Sequence, residues 1–172
     1  MATERVFADA KQWAAFQRRL GKAFTPAALK GIRAGGLRCI PLLHRSTETA
    51  PPASTGGGTG AVDTGDYKRR WRTSPLPNGV EVFNDAPEAG VIELGRRPGS
   101  RPPPSSVLQP WVRRKLGLSD AQAKGVAFVV ARAIGRRGLR ARRVMARALP
   151  AMRKAVMAEV KLALQKVIRR TP

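Results

Sequence analysis

Residues 71–94 read WRTSPLPNGVEVFNDAPEAGVIEL, and how this stretch is read decides the fold. Trp71-Arg72-Thr73 and Val80-Glu81-Val82-Phe83 are short runs rich in β-branched and aromatic residues, set either side of Pro75-Leu76-Pro77-Asn78-Gly79. An Asn-Gly pair between two such runs is a hairpin signal, because both residues tolerate the positive φ of a tight turn. Val91-Ile92-Glu93-Leu94 follows Asp85 to Gly90 and reads as a third strand. The expectation is a small antiparallel sheet of three or four strands over about residues 66–95.

Outward from this sheet, both flanks carry helical spacing. Val6, Ala10, Trp13 and Phe16 or Gln17 follow one face, with Phe7, Ala14 and Leu20 beside it. Thr3, Glu4 and Asp9 suit the start of that helix, and Gly21 suits its end. Thr25-Pro26 supplies an N-cap and first turn for a second helix. It runs through Leu29, Ile32 and Leu37 towards Leu43, with kinks expected at Gly35-Gly36 and Pro41. On the other flank, Pro110 opens a short helix from Trp111 to Leu116, stopped by Gly117. Ser119-Asp120 caps a helix through Val126, Val130 and Ile134 to Arg137, ended by Gly138.

Pro150 would cost ~3 kcal/mol in a helix interior, so it is expected in the first turn of the last helix. Met152, Val156, Val160, Ala163 and Val167 form that helix's stripe, read as sheet-facing core or a subunit seam. Two segments are loops by composition: STETAPPASTGGGTGAV at 46–62 and GRRPGSRPPPSSVLQP at 95–110. The fold class is α+β in a single domain over residues 1–172. Helices span about 4–45 and 110–170 and pack the small sheet, with the two long Pro/Gly-rich loops between them.

Charge divides the chain in the same way. Lys and Arg number 33 against 11 Asp and Glu, and the surplus avoids the middle. Residues 1–47 carry +7, residues 48–100 carry −1 and residues 101–172 carry +16. A near-neutral sheet thus sits between cationic helices, a pattern suited to a polyanion or to acidic partners. Self-repulsion at a formal charge of +22 works against a compact monomer, so a component of an assembly is expected.

Catalytic signals are weak. Gly56 to Ala61 has the GxGxxA outline of a dinucleotide site, but Pro51-Pro52 precede it and Asp63-Thr64-Gly65 follow. That chemistry needs a strand before and a helix after, so the stretch reads as loop and no cofactor is expected. Asp63-Thr64-Gly65 matches the triplet of a dimeric aspartic protease, whose two carboxylates share a proton. Asp66 stands where a small residue is needed, and Tyr67-Lys68-Arg69-Arg70 is too basic for a buried strand. A capped turn is the plainer reading, with Asp63 or Thr64 accepting backbone N–H groups.

Cys39 reads as a buried small hydrophobe and His44 as exposed or capping. One Cys and one His make neither a zinc site nor a Cys-His nucleophile. Neither metal binding nor catalysis is expected. No run approaches the ~18 apolar residues of a membrane span. Met1 to Asp9 lacks the order of a signal peptide, so a cytosolic product with no membrane contact is expected.

The basic side chains remain. Arg113, Arg114, Lys115, Arg136, Arg137, Arg140, Arg142, Arg143 and Arg147 are the candidate contacts to DNA backbone or an acidic partner. Arg suits bidentate contact with phosphate or carboxylate. No stacking aromatic is interleaved among them, so any DNA contact is expected to be independent of sequence.

The order of these parts resembles a known family. Ala61-Val62-Asp63-Thr64-Gly65-Asp66-Tyr67-Lys68-Arg69 is followed by a hairpin, then by Ala89 and Ile92-Glu93-Leu94-Gly95. A Pro-rich loop with Pro102-Pro103 comes next. Trp111-Val112-Arg113-Arg114-Lys115-Leu116-Gly117, Ala131-Arg132-Ala133-Ile134 and Gly138 complete the series. This order is similar to that of the neck or tail-completion proteins of long-tailed bacteriophages, including minor-tail-protein-Z-like members. The motif positions are Asp63, Thr64, Gly65, Glu93, Gly95 and Trp111.

The resemblance implies a structural virion protein made in the host cytoplasm and located at the head–tail interface. It implies a homo-oligomeric ring of about six or twelve copies, lying between the head connector and the tail-terminator or tail-tube proteins. Double-stranded DNA in the channel would be a sequence-independent partner. Two rival readings stand beside it: a basic cytosolic nucleic-acid-binding protein with no virion role, and the dimeric aspartic protease.

Overall fold

The computed structural model describes residues 10–54 and 57–170. The expected helix start at Thr3, Glu4 and Asp9, the positions Val6 and Phe7, and Gly56 lie outside the described residues. The side chains of Ala10, Trp13, Ala14, Phe16 and Gln17 do as well. In chain order the elements are α1 Ala10–Glu48, α2 Asp66–Arg69, β1 Trp71–Leu76 and β2 Gly79–Asn84. They continue with α3 Ala89–Leu94, α4 Ser105–Leu116, α5 Asp120–Arg137 and α6 Val144–Arg170. The chain is mostly helical, and the sheet among the described residues has two strands instead of the expected three or four.

The missing strand is a helix. Within Val91-Ile92-Glu93-Leu94, the Ile92 N–H donates to the Glu88 carbonyl at 2.9 Å, and the Gly95 N–H donates to the Val91 carbonyl at 2.8 Å. A four-residue apolar run is too short for periodicity to separate strand from helix, so its surroundings decide. Gly95 closes the helix at φ 73, a conformation open to glycine.

The hairpin itself forms, with Trp71 opposite Asn84 and Leu76 opposite Gly79. That register makes Pro77-Asn78 the two-residue loop, one residue before the expected Asn78-Gly79 turn. The Pro77 ring holds φ negative, which excludes the type I′ geometry that Asn-Gly favours. Neither Asn78 nor Gly79 has a positive φ, and Gly79 instead begins β2.

Contacts along the chain separate two units. Among the described residues, the first comprises residues 10–44, 71–84 and 148–170. Here α1 and α6 run antiparallel on small residues. A Cβ added to Gly31 would lie 2.6 Å from the Val160 Cα, and one on Gly35 would lie 2.6 Å from the Val156 Cα. A Cβ on Gly36 would lie 2.8 Å from the Val80 side chain of β2. The Gly35-Gly36 pair expected to kink the helix is therefore a packing face.

The helices expected to break near Gly21 and Thr25-Pro26 form one continuous α1, which also passes through Pro41. Burial of Cys39 and Leu43 and the close seam with α6 oppose the cost of each proline's missing hydrogen bond. Pro150 likewise lies inside α6, past its first turn. Val156 and Val160 pack on α1, so the stripe faces a helix and not the sheet.

Among the described residues, the second unit comprises residues 45–54, 57–70 and 85–147. In it α4 and α5 form a helical hairpin around the buried Val112, Ala123 and Ala127, flanked by Leu108, Leu118 and Val126. The buried stripe of α5 is Ala123, Ala127, Ala131 and Gly135. This is one step of register away from the Val126, Val130 and Ile134 stripe read from the sequence. Small residues at every fourth position allow the close approach: a Cβ on Gly135 would lie 2.8 Å from the Pro102 ring. Helix α4 starts at Ser105, so Pro110 lies within it and does not open it.

The local caps hold as expected. Ser119 Oγ accepts the Gln122 N–H at 3.5 Å, and Gln122 Oε1 accepts the Ser119 N–H at 3.1 Å. Gly117 at φ 63 and Gly138 at φ 71 end α4 and α5. Among the described residues, no helix is long and apolar enough to cross a membrane.

Candidate basic interface

Every candidate position lies in the second unit, and its Arg-rich link from α5 to α6 is pinned by backbone bonds. Arg96 and Leu139 exchange both N–H···O bonds, at 2.8 and 2.9 Å. The Arg140 N–H donates to the Ala53 carbonyl at 2.8 Å and the Arg142 N–H to the Ile92 carbonyl at 2.8 Å. The Arg143 N–H donates to the Glu93 carbonyl at 3.3 Å. Gly95 and Gly138 flank this crossing; a Cβ on either would collide with backbone, that of Leu139 or Arg96. The arginines are therefore carried on a fixed platform.

The motif positions tie that platform together. Asp63 forms ion pairs with both Arg114 and Lys115, the latter at 3.3 Å, so the VDTG turn is joined to the basic end of α4. Thr64, and not Asp63, caps the turn: its Oγ1 accepts the Asp66 N–H at 3.4 Å and donates to Asp66 Oδ2 at 2.7 Å. The Thr64 hydroxyl, and then Arg69, hold the Asp66 carboxyl below the usual carboxylate range. Gly65 precedes α2 at φ 82.

Glu93 spans the start of α6, with Oε2 accepting the Met145 N–H at 2.9 Å and Oε1 the Ala146 N–H at 3.0 Å. Trp111 stands on α4, partly exposed. The carboxylate that a protease would need to share a proton is thus held between two cations.

Internal bonds also sort the nine candidate cations. Arg113 pairs with Asp120 at 2.9 Å, and Arg114 and Lys115 pair with Asp63. Arg142 is half-buried and donates to the Gly60 carbonyl; burial pushes its guanidinium below its ordinary pKa. Arg147 donates to the Ser46 carbonyl at 3.5 Å and to Thr49 Oγ1 at 3.3 Å. Arg136, Arg137, Arg140 and Arg143 are exposed, and no side-chain partner is found for them among the described residues. The set that can meet a polyanion is these four.

Sequence reasoning passed over Phe128 and placed Arg132 only in the Ala131–Ile134 motif, not among the candidate contacts. The Arg132 guanidinium lies 5.7 Å from the Phe128 ring centroid, within cation–π range. The signal was present as Phe128, Arg132 and Arg136 at fourfold spacing on one face of α5.

Cys39 is buried, and its thiol donates to the Gly35 carbonyl at 3.3 Å. Desolvation raises its pKa, as suits a small core residue. His44 is half-buried. Among the described residues, no group of three His, Cys, Asp or Glu side chains could hold a metal ion. No family model matches the chain, and neither the curated proteins nor the solved structures give a match.

Proposed function

We propose that this chain is a structural subunit of a tailed-bacteriophage neck, forming a ring that joins the DNA-filled head connector to the tail. One observation carries the reading. The short motifs whose order suggested the family are cross-braced in one unit, with Asp63 tying the VDTG turn to Arg114 and Lys115, and Glu93 of the IELG motif tied to the start of α6. Residues kept for bracing suit a protein whose work is to hold shape between neighbours. Arg136, Arg137, Arg140 and Arg143 remain available, and phosphate contact through them would be independent of sequence, as a DNA channel requires.

The test is the protein composition of purified phage particles, together with electron microscopy of a deletion mutant. Presence in particles at fixed stoichiometry, with filled heads and free tails in the mutant, supports the neck role. Absence from particles overturns it in favour of a basic nucleic-acid-binding protein without a virion role.

A further inference from the structure

The Pro-rich loop and α5 line an open pocket of about 420 Å³ in the second unit. Pro102, Pro103, Phe128 and Ala131 supply apolar walls, and Arg132 and Arg136 line the same space one helical turn apart. Stacking on Phe128 orients the Arg132 guanidinium. No carboxylate of the described residues pairs with either arginine.

Most acids among the described residues are already engaged. Glu48, Asp63, Asp66, Asp85, Asp120 and Glu159 form ion pairs with basic side chains, and Glu93 holds the start of α6. None of these ion pairs involves Arg132 or Arg136, which are left able to complement a carboxylate of another molecule.

We infer that this pocket binds an acidic peptide segment of a partner protein, an apolar side chain entering between Pro102, Pro103 and Phe128 while an adjacent carboxylate meets Arg132 and Arg136. A peptide side chain fills a recessed apolar floor, as anchors do at protein interfaces. A DNA duplex presents only sugar and phosphate there, and gains nothing from proline walls. Phosphates are better met by Arg137, Arg140 and Arg143, which are exposed outside the pocket. The inference goes beyond the neck reading and does not depend on it.

The experiment is a fluorescence anisotropy titration of the full chain with a short labelled peptide alternating phenylalanine and aspartate. Its partners are the same peptide with asparagine for aspartate and a short mixed-sequence DNA duplex. The acidic peptide is expected to bind, with the asparagine version weaker by about tenfold. Arg132→Ala and Arg136→Ala should each weaken it by about tenfold, while Arg137→Ala, which removes equal charge outside the pocket, changes it less than about twofold.

Phe128→Ala should also weaken the acidic peptide. All four side chains are exposed, so the variants are expected to fold. An equal loss from Arg137→Ala, indifference to the asparagine change, or absence of peptide binding overturns the proposal. Binding of the duplex alone overturns it in favour of a DNA face. None of these readings uses a particle, so failure here leaves the neck assignment standing, and absence from particles leaves the pocket standing.

Discussion

The Glu93 carboxylate accepts the backbone N–H of Met145 at 2.9 Å through one oxygen, and its other oxygen takes Ala146 at 3.0 Å. The first N–H groups of a helix have no partner within it, and negative charge there complements the helix dipole. Residues from α3 thus set where α6 begins. Glu93→Ala should lower stability by about 1 kcal/mol, and Glu93→Gln, which keeps one acceptor, by less. Urea denaturation of the three proteins checks the order; an unchanged midpoint in Glu93→Ala would remove the cap from the account.

The α1–α6 seam gives a test in which the same substitution has opposite signs. Gly35→Ala would place a Cβ 2.6 Å from the Val156 Cα, against backbone that cannot swing aside. Overpacking of this kind costs roughly 1–3 kcal/mol. Gly21 of α1 and Gly125 of α5 have nothing within 4 Å of an added Cβ. Alanine there should stabilise by about 0.5–1 kcal/mol, through helix propensity alone. Thermal melts of the three variants decide it, and a Gly35→Ala protein as stable as the parent would mean the helices are not so close.

Tyr67 gives a pH dependence that can be read directly, because it is the chain's one tyrosine. Burial, and then the Glu93 and Glu88 carboxylates, raise its phenol well above the ordinary tyrosine range. With the folded pKa raised, the unfolded chain loses this proton first, near pH ~10. The stabilisation is complete below that pH and is lost as pH climbs towards the folded value. Tyrosinate absorbance should therefore appear together with unfolding, and Tyr67→Phe should flatten the alkaline fall in stability. A phenol that titrates near pH ~10 in folded protein would contradict this.

What the sequence made legible was local. Ser119 with Gln122, Gly117 and Gly138 needed only neighbours within a turn, and the hairpin needed only Trp71 to Asn84. What it hid depended on residues far along the chain. Pro150 fell inside α6 because Glu93 begins that helix, and Val91 to Leu94 is too short a run to show by its own period that it is helical. Gly35-Gly36 resembled a breaker until Val156 and Val80 were seen against it. The same holds for the candidate interface: an arginine cluster reads alike whether its members face solvent or the Gly60 carbonyl. Asp63 beside Arg114 separates bracing from available charge, and nothing in the spacing announces that pair.

That separation gives the last test, in which neighbouring arginines should behave differently. Arg142 donates to the Gly60 carbonyl and is half-buried, whereas Arg140 and Arg143 are exposed and contribute mainly backbone bonds. Arg142→Ala should cost about 1–2 kcal/mol in stability, since a charged donor leaves a protein acceptor. Arg140→Ala and Arg143→Ala should change stability by less than about 0.5 kcal/mol. Duplex DNA binding should show the reverse. Each phosphate contact contributes roughly 0.9 to the slope of log affinity against log salt. Arg140→Ala and Arg143→Ala should each flatten that slope by about this amount, and Arg142→Ala should leave it unchanged. If Arg142→Ala flattened the slope and spared stability, its guanidinium would face the polyanion and the division between bracing and free arginines would fall.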